Sequence, residues 1–332
     1  MGGGQFEAEI REQPTVLARL AVSRAAKQLE AAIGEREPVF IGSGSSLFVA
    51  QLAALAWRKA GRRAEAIAAS EARFQAAARR GTCVVALSQS GRTADVLDAL
   101  DALGPARTIA LTNTPGSPLA ARADITIDVA AGPETAVPAS KSVTAMAAVV
   151  LWTAARAVDG DGPAAAAALE RAAAGIGTWL DTVALPEMDR AATLLEPAQS
   201  IIVIGAGYGV PVAAEIALKI KEASYRHAEG FGAGEFRHGS TAILDAARGM
   251  AGIVDASSRA AVGTVLDVAR DAGAVVATLG HALPDIPAFG PPAHGRFAPL
   301  SWIVGGQLLA LALARRAGID SDAPRGLQKF LG

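Results

Sequence analysis

An apolar run, a glycine-rich turn and a helical pattern follow one another twice in this chain, and that repeat restricts its fold more than any other feature. The first copy is Val39-Phe40-Ile41-Gly42-Ser43-Gly44-Ser45-Ser46, leading into an Ala/Leu-rich helical stretch through about Lys59. The second is Ile201-Ile202-Val203-Ile204-Gly205-Ala206-Gly207-Tyr208-Gly209, leading into a helix that carries Glu215. A strand, turn and helix used twice predict a duplicated α/β unit. Further apolar runs alternate with helical patterns at the spacing of βαβ crossovers. Cys83 to Leu87, Thr108 to Leu111 and Ile125 to Val129 read as strands, with helices over Thr93 to Leu103 and Ser140 to Val158. In the second copy, Gly249 to Val254 and Ala274 to Leu279 read as strands around a helix from about Ser258 to Ala272. The expected fold class is α/β, with two tandem domains, each a parallel sheet flanked by helices in an αβα sandwich.

Breaks in the pattern set the expected divisions. Residues 1–36 form an N-terminal helical segment of one or two helices, too short for a separate catalytic or DNA-binding domain. Residues 37–160 and 191–320 form the two α/β domains, 161–190 the linker with its bridging helix, and 321–332 a C-terminal tail. Asp159-Gly160-Asp161-Gly162-Pro163 opens the linker, an alanine-rich helical stretch runs to about Leu185, and Pro186 marks a second break.

Composition narrows the partners. With 332 residues, 51% of them apolar, the chain can bury two cores of roughly 150 residues each. A net charge of −1 gives no basic field for nucleic acid, and a mean hydropathy of +0.31 speaks against disorder. Cys83 is the single cysteine, which excludes an internal disulfide and a cysteine-built zinc site; in Thr82-Cys83-Val84-Val85-Ala86-Leu87 it reads as a packed strand residue. Met1-Gly2-Gly3-Gly4-Gln5-Phe6-Glu7 has no basic region followed by an apolar run, so a cytoplasmic location without a secretory signal is expected. Phe297 to Ala314 approaches membrane-spanning length, but it contains Pro299, Ser301, Gln307 and Gly305-Gly306 and reads as a buried helix, so no membrane partner is expected.

Two turns have the chemistry of a phosphate site. Gly42-Ser43-Gly44-Ser45-Ser46 lacks the third glycine of a dinucleotide fingerprint, because Leu47 stands there, yet it places hydroxyls at a helix N-terminus, where free N–H groups favour an anion. Leu87-Ser88-Gln89-Ser90-Gly91-Arg92-Thr93 repeats the chemistry, with Ser88, Gln89, Ser90 and Thr93 as donors and Gly91 allowing close backbone approach. Two such turns at strand ends suit a phosphomonoester better than a dinucleotide; the plainer alternative is that the hydroxyls cap two helices. A third constellation is Glu215, Lys219 and Glu222, spaced four and three residues apart. A helix stacks these on one face as a proton-handling group or as a solvated charged face. Of the four histidines, His227 reads as a packing or interface residue of the same helical region, while His281 and His294 fall in Pro/Gly-rich segments; no metal site is expected from them.

In combination these residues resemble the sugar isomerase (SIS) domain family, in particular the double-SIS isomerase half of glucosamine-6-phosphate synthase and its free-standing deaminase, isomerase and deglycase relatives. The similarity runs from about Val39 to Lys329. Its motifs are Leu87-Ser88-Gln89-Ser90-Gly91, Ala217 to Glu229, Gly234-Glu235-Phe236-Arg237-His238-Gly239, and Asp322-Ala323-Pro324-Arg325-Gly326-Leu327-Gln328-Lys329. The resemblance implies a phosphate cradle of Ser45, Ser46, Ser88, Gln89, Ser90 and Thr93, with Val137 as a sugar contact. It implies that Glu222 moves a proton between C1 and C2 with Lys219 beside it. It implies that His238 assists ring opening, often from a neighbouring subunit, and that Lys329, preceded by Gln328, forms an imine with the open-chain ketose. One carboxylate can serve both halves of a proton shift between adjacent carbons. An amine attacks a carbonyl only when unprotonated, so Lys329 needs a covered site and the tail must fold over it. Arg92, Pro138, Ala139 and Gln328 depart from the synthase pattern and bear on the substrate more than on the fold.

The synthase also needs a glutaminase with an N-terminal cysteine, and the lone cysteine here is internal, so glutamine hydrolysis is not expected. The expected activity is an aminosugar-6-phosphate deaminase with aldose–ketose isomerisation, taking glucosamine 6-phosphate to fructose 6-phosphate and ammonia without metal or organic cofactor. Galactosamine 6-phosphate, a fructosamine 6-phosphate, plain isomerisation, a synthase-like subunit fed by a separate glutaminase, and a non-catalytic sugar-phosphate sensor are the alternatives. A homodimer with shared sites follows if His238 completes a neighbour's site.

Overall fold

The apolar runs fold as strands because each leads into a helix that covers the sheet it joins. In this computed structural model, residues 3–75, 81–104, 106–160, 162–293 and 295–329 are described; Asp161 and His294 lie outside them. The first sheet contains β1 (Glu37–Gly42), β2 (Glu65–Ala68), β3 (Thr82–Ser88), β4 (Arg107–Thr112) and β5 (Ile125–Asp128) in the order β2-β1-β3-β4-β5, with every pairing parallel. The second contains β6 (Ser200–Gly205), β7 (His227–Gly232), β8 (Arg248–Val254), β9 (Val275–Gly280) and β10 (Ala288–Phe289) in the order β10-β9-β8-β6-β7, again all parallel. The two-sheet α/β architecture expected from the repeat is present, and the strands and helices predicted in each half are found within a residue or so of their expected ends.

The chain forms two compact units that are not consecutive in sequence. One, built on the first sheet, comprises Thr15–Glu134, Lys141–Arg171 and Gln328–Gly332; the other, built on the second, comprises Met1–Pro14, Thr135–Ser140 and Ala172–Leu327. In the first unit, Val39, Ile41, Val84, Ala86 and Ala110 pack against Val96, Ala99 and Leu103 of the Ala94–Leu103 helix. In the second, Ile202, Ile204, Met250 and Val254 pack against Val262, Val265 and Leu266 of the Arg259–Asp271 helix. Each cluster takes one face of its sheet, and the central strands β1, β3, β6 and β8 are buried almost without interruption, as a parallel sheet covered on both faces requires.

Several local expectations change. The N-terminal segment is three helices, Gly4–Arg11, Gln13–Ala21 and Ala25–Ile33. The alanine-rich stretch ends at Thr182, and Pro186 lies inside the first turn of a further helix, Ala184–Leu195, where a missing N–H costs no helical bond. The helix carrying Lys219 is Gly209–Ser224, so His227 is not helical: it opens the edge strand β7, and its side chain is 67% exposed rather than packed. The segment Gly295–Arg316 is long and apolar enough to cross a membrane, but 94% of its apolar window is buried inside the protein, as the sequence reading expected of a core helix. Its Gly306 lies so close to Ile216 that a Cβ there would stand 2.3 Å from the Ile216 side chain, and this close crossing seats the Gly209–Ser224 helix.

Candidate active site

Both hydroxyl-rich turns lie where the order of the first sheet reverses. β1 has β2 on one side and β3 on the other, and in open parallel sheets ligands bind outside the carboxyl ends of the strands at such a switch point. Ser45 and Ser46 follow β1 and begin the Ser45–Lys59 helix; Ser88 ends β3, and Gln89 to Thr93 link it to the Ala94–Leu103 helix. The hydroxyls are not spent as caps, since neither helix has a side-chain N-cap hydrogen bond. The Gly91 N–H donates to Ser88 Oγ at 3.0 Å, the Arg92 N–H donates to Ser90 Oγ at 3.2 Å, and the Ser88 and Thr93 hydroxyls are 3.4 Å apart. A hydroxyl that accepts from the backbone keeps its own proton to give away, which is what a phosphate oxygen needs. Gly91 has φ 60°, and a Cβ on it would fall 2.0 Å from Ser117 Oγ, so both conformation and space require glycine there. Arg92 is exposed.

The same unit holds the tail lysine. Lys329 Nζ donates to Glu134 Oε2 at 3.4 Å. Glu134, whose side chain is fully buried, also accepts from Ser142 N at 3.0 Å and Ser142 Oγ at 2.6 Å at the start of the Lys141–Asp159 helix. A carboxylate at a helix N-terminus is electrostatically favoured, and here Oε2, which accepts from the Ser142 hydroxyl, also accepts from the lysine. Sequence reasoning missed Glu134. The available signal was an acid between two site segments, eight residues ahead of a helix-opening Ser142, but nothing local distinguished it from an exposed loop residue. Gln328 is exposed.

In the other unit, the Gly209–Ser224 helix brings Glu215, Lys219 and Glu222 together. Lys219 is 1% exposed; its ammonium lies 2.5 Å from Glu222 Oε2 and 3.7 Å from Glu215 Oε1. Glu215 is 2% exposed and Glu222 21%, so the triplet is a buried ion group with one carboxylate reaching outward, not a solvated charged face. Removing either partner of such a group leaves an uncompensated buried charge, at a cost of about 3–5 kcal/mol. Helix termination holds the group in place. Tyr225 takes the left-handed conformation at φ 56°, and Arg226 donates to the Leu195, Glu196 and Ala198 carbonyls. The Tyr225 hydroxyl accepts from the Arg325 N–H at 2.7 Å, and the Arg325 guanidinium sits 4.4 Å from the ring centre, a cation–π contact that ties the start of the tail to the end of this helix. Val137 donates its N–H to the Asp322 carbonyl at 3.0 Å. His238, just after the short Ala233–Phe236 helix, is exposed and makes no side-chain hydrogen bond or ion pair among the described residues.

Comparison with known proteins decides the family. The model of the SIS domain matches residues 34–156 and 194–254. The chain belongs to the SIS domain family. Among curated relatives, glutamine–fructose-6-phosphate aminotransferase (isomerizing) from Aeropyrum pernix is 34% identical over 97% of this chain and 56% of its own length. The chain spans about half the length of the curated relatives it matches. Among solved structures, the C-terminal domain of glucosamine-fructose-6-phosphate aminotransferase from Francisella tularensis superposes with a TM-score of 0.86 at 24% identity, covering 95% of this chain and 97% of that one. Glucosamine-6-phosphate deaminase from Thermotoga maritima gives 0.79 at 21% identity, covering 98% of each chain. At these identities both structures speak for the fold. The SIS domain family includes phosphosugar isomerases, for which a sugar phosphate is the substrate class.

Proposed function

We propose that this SIS protein is an aminosugar-6-phosphate deaminase and isomerase, taking glucosamine 6-phosphate and water to fructose 6-phosphate and ammonia. The observation that carries the reading is the Glu222 carboxylate, held by a buried ammonium yet still reaching outward. In the open-chain substrate, Glu222 removes the C2 proton, and the electron pair moves into the C1–C2 bond to give an enolamine. Return of the proton at C1 gives the C2 imine. Lys329 then adds to C2 and expels ammonia, and water hydrolyses the lysine imine to the ketose and the free amine. Ser45, Ser46, Ser88, Gln89, Ser90 and Thr93 hold the phosphate, Val137 and Gln328 touch the sugar, and Lys219, in contact with the Glu222 carboxylate, orients it. His238 assists ring opening from a second copy, so the active form is a homodimer; its exposure in the single chain supports this role.

The test is release of ammonia and of fructose 6-phosphate from glucosamine 6-phosphate, with Glu222→Gln as control. Equal yields of both products, lost in the variant, are expected. Tight sugar-phosphate binding without turnover would favour the sensor, and turnover of another epimer or of a fructosamine 6-phosphate would reassign the substrate. A second reading, amination of fructose 6-phosphate with ammonia delivered by a separate glutaminase, is favoured by the similarity to glutamine–fructose-6-phosphate aminotransferases. Glucosamine 6-phosphate formation only when such a partner is added would select it. Subunit mixing tests the shared site: Glu222→Ala and His238→Ala chains, each inactive, should regain activity together.

A further inference from the structure

Thr135–Ser140 is a short loop, yet it belongs with Met1–Pro14 and Ala172–Leu327 rather than with the residues on either side of it in sequence. The cause is a set of tethers, mostly buried. At its start, Glu9 Oε1, on a side chain with no exposure, accepts from Thr135 N at 2.5 Å, Thr135 Oγ1 at 3.2 Å and Ala136 N at 3.3 Å. At its end, fully buried Gln13 donates to Gln307 Oε1 at 2.7 Å, and Gln307, also fully buried, donates to the Ser140 carbonyl at 3.3 Å. In the middle, Val137 N–H donates to the Asp322 carbonyl, while the Asp322 carboxylate accepts from Gly3, Gln5 and Phe6 N–H at 3.2, 3.1 and 2.7 Å and so caps the Gly4–Arg11 helix. The N-terminal helices therefore grip the loop at both ends and, through Asp322, at Val137.

Burying a carboxylate and two amides is costly unless their partners are fixed, and such networks impose one arrangement on the segments they join. The cost is not fully offset here, because Glu9 Oε2 and Gln13 Oε1 are buried without a hydrogen-bond partner among the described residues. An apolar contact would have packed the same helix more cheaply. We infer that Glu9 and Gln13 are positioning residues for substrate selection: through this network they set the place of Val137, and thus affinity for the sugar part of the ligand as distinct from its phosphate. This rests on the reading of Val137 as a sugar contact.

The test measures binding of inorganic phosphate and of fructose 6-phosphate to the full chain by calorimetry. In wild type, fructose 6-phosphate should bind more tightly than phosphate; if it does not, the sugar-site reading itself fails and the inference falls with it. Given that preference, Glu9→Ala and Gln307→Leu should each weaken fructose 6-phosphate by about tenfold, the scale of one lost polar contact, and leave phosphate affinity unchanged. Glu9→Gln, which keeps an acceptor oxygen for Thr135 and Ala136, should restore most of the loss. Unchanged fructose 6-phosphate affinity in a folded variant, or an equal loss for both ligands, would overturn the inference. If Glu9→Ala fails to fold, Gln307→Leu decides.

Discussion

The two sheets have the same turn at the same topological position and use it differently. In each, one strand connects to neighbours on both sides: β1 to β2 and β3 in the first, β6 to β7 and β8 in the second. In the first sheet the turn after β3 offers the Ser90 hydroxyl, which accepts from the backbone and keeps its own proton for a ligand, beside the paired Ser88 and Thr93 hydroxyls, one of which keeps its proton too. In the second, the turn after β8 already holds its anion. Asp255 Oδ1 accepts from Ser257 N at 2.8 Å, Ser257 Oγ at 2.7 Å and Ser258 N at 2.8 Å, and Asp255 N donates to Ser258 Oγ at 2.8 Å. Burial alone would raise the Asp255 carboxyl, but these hydrogen bonds outweigh it and hold the group below the usual carboxylate range. The topology supplies a place for an anion, and side chains decide whether that anion is a ligand or the protein's own carboxylate. The second sheet instead places its chemistry along the Gly209–Ser224 helix.

The largest expected effect tests that division. Glu222→Gln should lower turnover by about 10²–10⁴-fold, the usual contribution of a general base, with inorganic phosphate affinity unchanged by calorimetry. A parallel loss of phosphate affinity would mean that the anion site depends on the second sheet's helix. Next, Ser88→Ala and Ser90→Ala should each weaken sugar-phosphate binding by about 10- to 100-fold, as loss of a hydrogen bond to a charged group does, while Ser257→Ala leaves it unchanged. Comparable losses at Ser257 would break the contrast between the two turns.

A smaller effect concerns Asp255. Because its folded pKa is depressed, its stabilisation is present above the ordinary carboxylate pKa and is lost as pH falls through the folded value. Asp255→Asn should therefore destabilise the chain by at most about 1 kcal/mol at neutral pH, after solvent screening, in urea titrations. That difference should vanish in acid; a constant difference would assign it to packing. Smallest of all is the expected reactivity of Cys83 in β3, the strand that leads into the cradle. Burial, partly offset by Arg36, Arg107 and Arg62, pushes its thiol up to about 11. A thiol reagent at pH 8 should leave it untouched until the chain unfolds. Labelling under native conditions would show that the first sheet opens locally.

Much of this was legible from neighbours in sequence. The β1 and β6 runs, the glycine turns, the cradle hydroxyls and the spacing of Glu215, Lys219 and Glu222 are local patterns, and local periodicity needs no distant partner to be read. The edge strand β7 was not legible, because His227-Ala228-Glu229-Gly230-Phe231-Gly232 has two glycines and no alternation of apolar residues; it is a strand because β6 pairs with it residue for residue. Nor was β2, whose four residues Glu65–Ala68 gain strand character from β1.

The sequence by itself determined two parallel α/β units, the hydroxyl-rich turns and the amphiphilic helix with its acid, amine and acid, since each follows from backbone periodicity and side-chain type within a few residues. Only the tertiary structure decided which charges are buried and whom they face. Lys219 is an enclosed ion and not a surface one, Glu134 meets Lys329, Asp322 caps a helix more than three hundred positions away in the chain, and Glu9 grips a loop far from it in sequence. The energy of a polar group depends on its solvent and its partners, and those are set by long-range packing that no local pattern contains.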